Sequence, residues 1–161
     1  MNPAPAIDRL KALPRASFLS GPTPIHRLER FERAIAARGP IFIKRDDAIP
    51  FGFGGNKVRK LELVMAAALR EGADTVITCG GIQSNHCRAT AAAAARLGLD
   101  CHLVLSGEPP AVLTANARLD ELLGATLHFV ANRADRTPAM ASLVTRLRAG
   151  GRRPHSIPLG A

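Results

Sequence analysis

The sequence has no tryptophan, no tyrosine and only six phenylalanines, so aromatic residues make up 4% of its 161 residues. Apolar residues are still 47% of the chain and charged residues 22%, which is typical of a globular protein with a core of Ala, Leu, Ile and Val. The net charge of +9 permits contact with nucleic acid or an anionic surface. The arginines are spread along the chain, however, and aromatic residues for base stacking are not interleaved with them, so we predict no nucleic-acid partner.

Cysteine is also scarce, with Cys79, Cys87 and Cys101 as the only three. Their odd number and the absence of a CxxC spacing argue against a disulfide framework or a zinc site, so we predict no metal and a reducing, cytoplasmic location. The first residues lack a basic stretch followed by an apolar segment, and no signal peptide is evident. The alanine-rich run 89–95 is too short to span a bilayer, so no membrane partner is expected.

Strand-like and helix-like segments alternate along most of the chain. The first 40 residues are rich in proline, with a short helical patch over 28–37. Beyond them, apolar runs predict strands over 41–46, 74–79, 101–105, 126–130 and 153–158, and 3.6-residue periodicity predicts helices over 56–71, 84–97, 114–123 and 138–148. Continuous apolar strands between helices indicate an α/β fold, an open parallel sheet with helices on both faces.

A glycine-rich turn, Gly52 to Gly55, leads to Lys57 at the start of a predicted helix. The spacing matches neither a P-loop, because Val58 follows the lysine, nor the G-x-G-x-x-G dinucleotide fingerprint. Most of the basic residues are arginines, so a lysine here points to an amine that can lose its proton and form a Schiff base. The alternative is a simple turn before a helix capped by Asn56.

A second turn, Gly80-Gly81, joins a predicted strand to a helix that opens at Ser84, Asn85 and His86. Unpaired N–H groups and the positive end of the helix dipole make such a helix start a site for a carboxylate. The alternative is that Ser84 is only an N-cap and His86 is structural. If both turns lie at the carboxyl ends of neighbouring strands, an amine would face a carboxylate site, an arrangement suited to an amino-acid substrate and a carbonyl cofactor.

Three stretches resemble one enzyme family: 42–47 (FIKRDD), 54–62 (GGNKVRKLE) and 80–86 (GGIQSNH). They are similar to the pyridoxal-phosphate enzymes of the 1-aminocyclopropane-1-carboxylate deaminase and D-cysteine desulfhydrase family, which have the tryptophan synthase β-like fold, also called fold type II. Residues 22–25 (PTPI) are similar to the N-terminal signature of that family. The resemblance runs from about residue 15 to the last residue.

The resemblance implies a role for each motif residue. Lys57 would hold pyridoxal 5'-phosphate covalently, with Asn56 beside it, and Asn85 would hydrogen-bond the ring oxygen of the cofactor. The same loop would bind a small amino-acid substrate. Ser84 would hold or attack the substrate near its carboxylate, and the neighbouring substrate-binding residues would be Gln83, Asn85 and His86.

The resemblance also implies a reaction. His86 is typical of the desulfhydrase branch, because deaminases of the cyclopropane substrate usually carry glutamine there. We therefore expect desulfhydration of D-cysteine to pyruvate, ammonia and sulfide, with 1-aminocyclopropane-1-carboxylate deamination as the alternative. The full-length family implies a homodimer.

Members of this family are considerably longer than 161 residues. Their phosphate-binding loop, the partner of the pyridine nitrogen and a substrate-binding tyrosine come from the C-terminal half. We therefore expect a truncated chain divided into a piece of the large domain (1–48), the small domain with the cofactor lysine (49–155) and the start of a further large-domain piece (156–161).

Such a chain should bind the cofactor weakly or not at all when alone, and it should show exposed apolar surface and poor order at both ends. Two other hypotheses stay open: a non-catalytic α/β remnant or interaction module, and a basic nucleic-acid binder.

Overall fold

The structure is a computed structural model that describes residues 4–158, with side chains from residue 6 onward. The helices are α1 (Ala4–Ala12), α2 (Glu29–Ala34), α3 (Lys57–Arg70), α4 (Asn85–Leu97), α5 (Ala115–Leu122) and α6 (Arg136–Ala149). The strands are β1 (Ile25–Arg27), β2 (Phe42–Lys44), β3 (Thr75–Gly81), β4 (Asp100–Ser106), β5 (Thr126–Val130) and β6 (Pro154–Ser156). None of the helices between residues 4 and 158 has the length and hydropathy needed to cross a bilayer.

Four parallel strands form the central sheet in the order β5-β4-β3-β6. On one face, Ile77 and Val104 pack against Met140 and Leu143 of α6. The other face is covered by α4, which also packs against α3 and α5. The predicted α/β class, with a parallel sheet and helices on both faces, is therefore confirmed.

Helix α4 lies at the centre of this arrangement, and residues 86–94 of it are all buried. Alanine fills most of these positions, and its small side chain lets the sheet and two helices approach α4 closely. Ser84 caps the start of the helix through a hydrogen bond from the N–H of Cys87, and Gly98 ends it with φ +69°. The predicted bounds of 84–97 were thus correct to within one residue.

The strand predicted over 41–46 differs from the prediction. It is only the three residues of β2, and it pairs antiparallel with β1 in a separate two-stranded sheet. All three residues of β2 are exposed, so this apolar segment is not a strand of the central core. Helix α6 also differs slightly, because it begins at Arg136 rather than at 138.

The segment before β1 packs against the main core through a few contacts. Ala16 and Phe18 are buried, and the ring of Phe18 stacks on that of Phe51 with centroids 4.6 Å apart. The carboxylate of Glu62 on α3 accepts the backbone N–H groups of Phe18 and Leu19, each at 3.0 Å. These contacts attach the start of the chain to the helix that begins at Lys57.

Residues 25–42, which include β1, α2 and the start of β2, carry the exposed apolar surface that we expected. Ile25, Phe31, Ile35 and Phe42 are all more than half exposed, at 63%, 51%, 53% and 58%. The expected poor order at both chain ends falls on residues 1–3 and 159–161, which lie outside the described residues. Within the described end of the chain, Ile157 is fully buried and donates its N–H to the carbonyl of Ile77 at 2.8 Å.

Candidate active site

The glycine-rich turn holds four consecutive residues, 52–55, with positive φ angles of 57°, 63°, 78° and 95°. Gly54 has no room for a side chain, because a Cβ there would lie 2.8 Å from the carbonyl oxygen of Asp47. Phe53 is the one non-glycine residue of the four, and 65% of the residue is exposed. A left-handed backbone costs a phenylalanine about 1 kcal/mol or more, so the turn is held by the contacts around it.

Asp46 is one of those contacts. Its carbonyl oxygen accepts the N–H of Gly55 at 2.8 Å, and its carboxylate accepts hydrogen bonds from Arg59 at 2.9 and 2.5 Å. Arg59 also donates to the hydroxyl of Thr23 at 2.9 Å. The hydrogen bonds from Arg59 lower the pKa of Asp46 below its ordinary value. This network fixes the turn immediately before Lys57, the first residue of α3.

The second turn brings β3 into α4. A Cβ on Gly80 would lie 2.5 Å from both Cβ and Oγ of Ser84, so only glycine fits there. Ser84 accepts hydrogen bonds from two N–H groups of the first helical turn. Its hydroxyl oxygen accepts the N–H of Cys87, and its carbonyl oxygen accepts the N–H of Arg88, both at 3.2 Å. The N–H groups of Asn85 and His86 are the donors that remain at the start of α4.

Asn85 is exposed, and the orientation of its amide is set by two donors. Its Oδ1 accepts from Nδ2 of Asn116 at 2.9 Å and from Arg88 at 3.3 Å. Because the oxygen takes both bonds, the amide nitrogen of Asn85 is left to donate elsewhere. Asn116 also binds Gln83, since its N–H donates to Oε1 and its Nδ2 donates to the carbonyl of Gln83, both at 2.9 Å.

His86 is buried, with 7% of the residue exposed. Its Nε2 lies 3.0 Å from the hydroxyl of Thr78, which donates its one proton to the carbonyl of Ile157 at 2.9 Å. The hydroxyl oxygen of Thr78 must therefore accept a hydrogen bond from Nε2–H of His86. The proton of the neutral ring is then on Nε2, and the lone pair of Nδ1 is buried without a hydrogen-bond partner. Burial, followed by the charges of Lys60 and Lys57, lowers the pKa of His86 to about 4, so the ring is neutral at pH 7.

The glycine-rich turn that leads to Lys57 is joined to α4, because the guanidinium of Arg88 donates to the carbonyls of Gly52 and Gly54. Lys60 is half-buried, and its own pKa is lowered by burial and then by the charge of Lys57. The amine of Lys57, the amide of Asn85 and the two N–H donors of α4 therefore belong to one region of the molecule.

Comparison with known proteins gives this region a context. Residues 16–160 match the family described as pyridoxal-phosphate dependent enzyme. The chain belongs to this family. Its cofactor is pyridoxal 5'-phosphate, as the motifs around Lys57 and Asn85 implied.

One solved structure of an ACC deaminase homologue is 37% identical, with a TM-score of 0.88, over 99% of this chain and 48% of that one. Two further structures share the fold. A pyridoxal 5'-phosphate-dependent aspartate racemase is 23% identical (TM-score 0.64, 84% of this chain and 38% of that one), and an O-ureido-L-serine synthase is 21% identical (TM-score 0.64, 82% and 40%). This chain therefore spans 38–48% of the length of these three solved structures, and the resemblance to an N-terminal half is confirmed.

The donors in this region fit a pyridoxal phosphate. The cofactor needs a primary amine for its aldehyde and a donor for its ring oxygen. Groups of both kinds are present in this region, in the half-buried amine of Lys57 and the amide nitrogen of Asn85. The positive end of α4 and the unpartnered Nδ1 of His86 add polar groups beside them.

Two of the predicted site residues, Asn56 and Gln83, have surroundings that the sequence did not indicate. Asn56 is exposed and has helical angles, φ −65° and ψ −15°, and its side chain makes no capping hydrogen bond, so the predicted Asn56 cap was wrong. An N-cap side chain reaches back to the helix from an extended backbone, which Asn56 does not have. Both polar atoms of the Gln83 side chain contact the start of α5, at Thr114 and Asn116. The roles of Asn56 in cofactor binding and of Gln83 in substrate binding stay predictions.

Sequence reasoning missed the residues that hold the site in place: Asp46, Arg59, Thr78, Arg88 and Asn116. One signal was available, because Arg88 is three residues after Asn85 and therefore on the same face of the helix. Asn116 gave no signal, since it meets Asn85 and Gln83 only through the packing of α5 against α4.

Proposed function

We propose that this chain carries the cofactor lysine, Lys57, and the substrate carboxylate site of a pyridoxal-phosphate enzyme that acts on a small amino acid. The preferred reaction is desulfhydration of D-cysteine, in which one water is consumed and pyruvate, ammonia and sulfide are formed. The observation that supports this most is geometric: Arg88 of α4 hydrogen-bonds the turn that leads to Lys57 and also the side chain of Asn85, so the two motifs adjoin each other.

The substrate carboxylate would bind at the start of α4. The N–H groups of Asn85 and His86 are the donors left there, and the helix dipole is positive at this end. The hydroxyl of Ser84 accepts the N–H of Cys87 and also hydrogen-bonds the Cys87 side chain, and its proton would turn from that sulfur to the carboxylate when substrate binds. These three donors would orient the Cα–H bond of the substrate.

Lys57 would hold the cofactor and then accept the Cα proton. Bound pyridoxal phosphate supplies an electron sink for the pair released from that C–H bond. Lys57 is the first residue of α3 and is half-buried beside the glycine-rich turn, which would hold its amine at one place relative to the Cα–H bond of the substrate.

The choice between two substrates depends on His86. The desulfhydrase branch of the resemblance carries histidine at this position, and in this structure the ring is neutral and bound to Thr78. Deamination of 1-aminocyclopropane-1-carboxylate is the second candidate, and it is supported by the 37% identity to an ACC deaminase homologue.

We also propose the division into residues 1–48, 49–155 and 156–161, a homodimer for the full-length protein, and a cytoplasmic location. The three cysteines are free and buried, which fits a reducing compartment. Because the family's phosphate loop and pyridine-nitrogen partner belong to its C-terminal half, we expect the chain alone to bind the cofactor weakly.

The test is a titration of the purified chain with pyridoxal phosphate, followed by absorbance, and an assay of pyruvate formed from D-cysteine. We expect a weak absorbance band that disappears in Lys57→Ala and remains in Lys11→Ala, a matched change on exposed α1. We expect D-cysteine to react faster than 1-aminocyclopropane-1-carboxylate. A band that persists in Lys57→Ala would contradict the proposal, and a stable chain with no band or activity would favour the non-catalytic module.

A further inference from the structure

Arg88 of α4 is a charged residue in an unexpected place. Only 5% of it is exposed, although arginine is almost never fully buried without a charged partner. No carboxylate among the described residues lies within ion-pair distance of it. Its hydrogen bonds instead go to neutral oxygens that belong to both halves of the candidate site.

Two of these oxygens belong to the glycine-rich turn. Nη1 of Arg88 donates to the carbonyl of Gly52, and Nη2 donates to the carbonyl of Gly54 at 3.2 Å. Both glycines have positive φ angles, so their carbonyls face in directions that a regular helix or strand would not present. The planar guanidinium can reach two carbonyls at once, which a lysine ammonium on a flexible stem cannot reproduce.

The third oxygen is Oδ1 of Asn85, which Nη2 of Arg88 approaches at 3.3 Å. One guanidinium therefore joins the turn that leads to Lys57 with the amide at the start of α4. Asn116 supplies the other donor to Asn85, at 2.9 Å, but has no hydrogen bond to the turn. Mutation of Arg88 therefore removes contacts to both the turn and Asn85, whereas mutation of Asn116 removes a contact to Asn85 and none to the turn.

A buried carboxylate lies behind Arg88. Asp120 of α5 is fully buried, and the charges of Arg88 and Asp120 interact without a direct hydrogen bond. Nε of Arg88 and both carboxylate oxygens of Asp120 have no partner. Because the carboxyl group of Asp120 makes no hydrogen bond with Arg88, the two terminal nitrogens of the guanidinium are used for the turn and Asn85.

We propose that Arg88 is a positioning residue that holds the backbone leading to Lys57 and the amide of Asn85 in one fixed arrangement. The inference deepens the proposed function and rests on it for the roles of Lys57 and Asn85. It requires that the turn loosens when the guanidinium is lost, even if the fold remains intact.

The experiment compares Arg88→Lys, Arg88→Met, Asn116→Ala and the control Arg96→Lys, which lies on the exposed face of the same helix. Hydrogen exchange of the full chain, without cofactor, reports the turn (51–57) separately from β4. In Arg88→Lys and Arg88→Met we expect exchange in the turn to rise by about tenfold or more, the factor equivalent to about 1.4 kcal/mol, while β4 keeps its protection. Asn116→Ala and Arg96→Lys should leave the turn unchanged.

A second measurement determines the rate at which borohydride fixes pyridoxal phosphate on Lys57. Arg88→Lys should lower the rate of trapping at Lys57 by about tenfold. Asn116→Ala should keep that rate but shift the absorbance band of the bound cofactor, because it frees the amide of Asn85 to turn.

Unchanged turn exchange in a folded Arg88→Lys would overturn the proposal, and so would an equal loss of protection in the turn and β4, which would make Arg88 an ordinary core residue. If wild-type Lys57 is not labelled even with a large excess of pyridoxal phosphate and borohydride, the proposed role of Lys57 fails. The exchange data would still decide whether Arg88 holds the turn.

Discussion

His86 and Thr78 share a 3.0 Å hydrogen bond that joins the start of α4 to the middle of β3. The hydroxyl of Thr78 also donates to the carbonyl of Ile157, so the histidine, the central strand and the segment after β6 form one buried chain of hydrogen bonds. The bond sets the tautomer of His86 and leaves Nδ1 as an acceptor beside the candidate site.

Replacing Thr78 by valine tests this chain of bonds. The change keeps the side-chain shape but leaves Nε2–H of His86 and the carbonyl of Ile157 buried without partners, which should cost about 1–3 kcal/mol of unfolding free energy. Urea unfolding measures the loss. Thr145→Val is the control, because the hydroxyl of Thr145 bonds only the exposed turn of its own helix, at 3.1 Å. Equal effects in the two variants would rule out a special role for the Thr78 bond.

The neutral state of His86 predicts a pH dependence. Its pKa in the folded chain is about 4, below the ordinary value of 6.5, so the unfolded chain binds more protons between these values. The contribution of His86 to stability is therefore fully present above pH 6.5 and is lost as the pH falls towards 4. An NMR titration of the His86 ring should show no change between pH 5.5 and 8, and a midpoint near 6.5 would refute the assignment.

The contribution of Asp120 to stability should depend on pH in the opposite direction. Burial raises the pKa of this carboxyl from 3.8 to about 7, with Arg88 acting against the rise. The folded chain therefore holds a proton more tightly than the unfolded chain, and stability is lost as the pH rises through the interval towards 7.

The variant Asp120→Asn removes this titration. It should match wild type near pH 4 and become more stable by an amount on the order of 3 kcal/mol at pH 8. Urea unfolding of both proteins at pH 4.5, 6 and 8 measures the difference, and the contribution of His86 cancels because both proteins contain it. A variant that is less stable than wild type at pH 8 would mean that the charged carboxylate is needed, as a partner of Arg88.

Substitution by alanine should cost more stability at Gly54, in the glycine-rich turn, than at Gly72, although the two glycines have similar φ angles. Gly54 and Gly72 have φ of +78° and +72°, but a Cβ on Gly54 would meet the Asp47 carbonyl at 2.8 Å, while a Cβ on Gly72 would meet nothing within 4 Å. Alanine should cost about 1–2 kcal/mol at Gly72 from the backbone angle alone, and about 1–3 kcal/mol more at Gly54 from the clash. Thermal unfolding of both variants checks the order, and equal losses would contradict the geometry of the turn.

The central strands β3 and β4 were predictable from sequence because they contain short apolar runs that end at or just before glycines. Helix α4 was predictable because Ser84 and Gly98 carry the chemistry of a helix start and end. The small sheet of β1 and β2 was not predictable as such. Its strands have three residues each, all exposed, so no burial pattern marks their pairing.

The positions of Lys57 at the start of α3 and of the glycine turn before α4 were also predictable from sequence. The residues that support them were not, because a buried arginine such as Arg88 has the same appearance in a helical sequence as a solvated one such as Arg96. Contacts such as Asn85 with Asn116 join residues 31 positions apart, and only the packing of two helices brings them together.

The central claim is that Lys57, among the four lysines of the chain, is the amine that holds the cofactor. The strongest rival is Lys60, whose pKa is lowered by burial and by the charge of Lys57 and which is therefore the more reactive amine if position plays no part. The decisive measurement is borohydride reduction of the chain with pyridoxal phosphate, followed by peptide mass spectrometry that separates Lys11, Lys44, Lys57 and Lys60. We predict that the label is found on Lys57. A label mainly on Lys60, or spread evenly over the four lysines, would contradict the account.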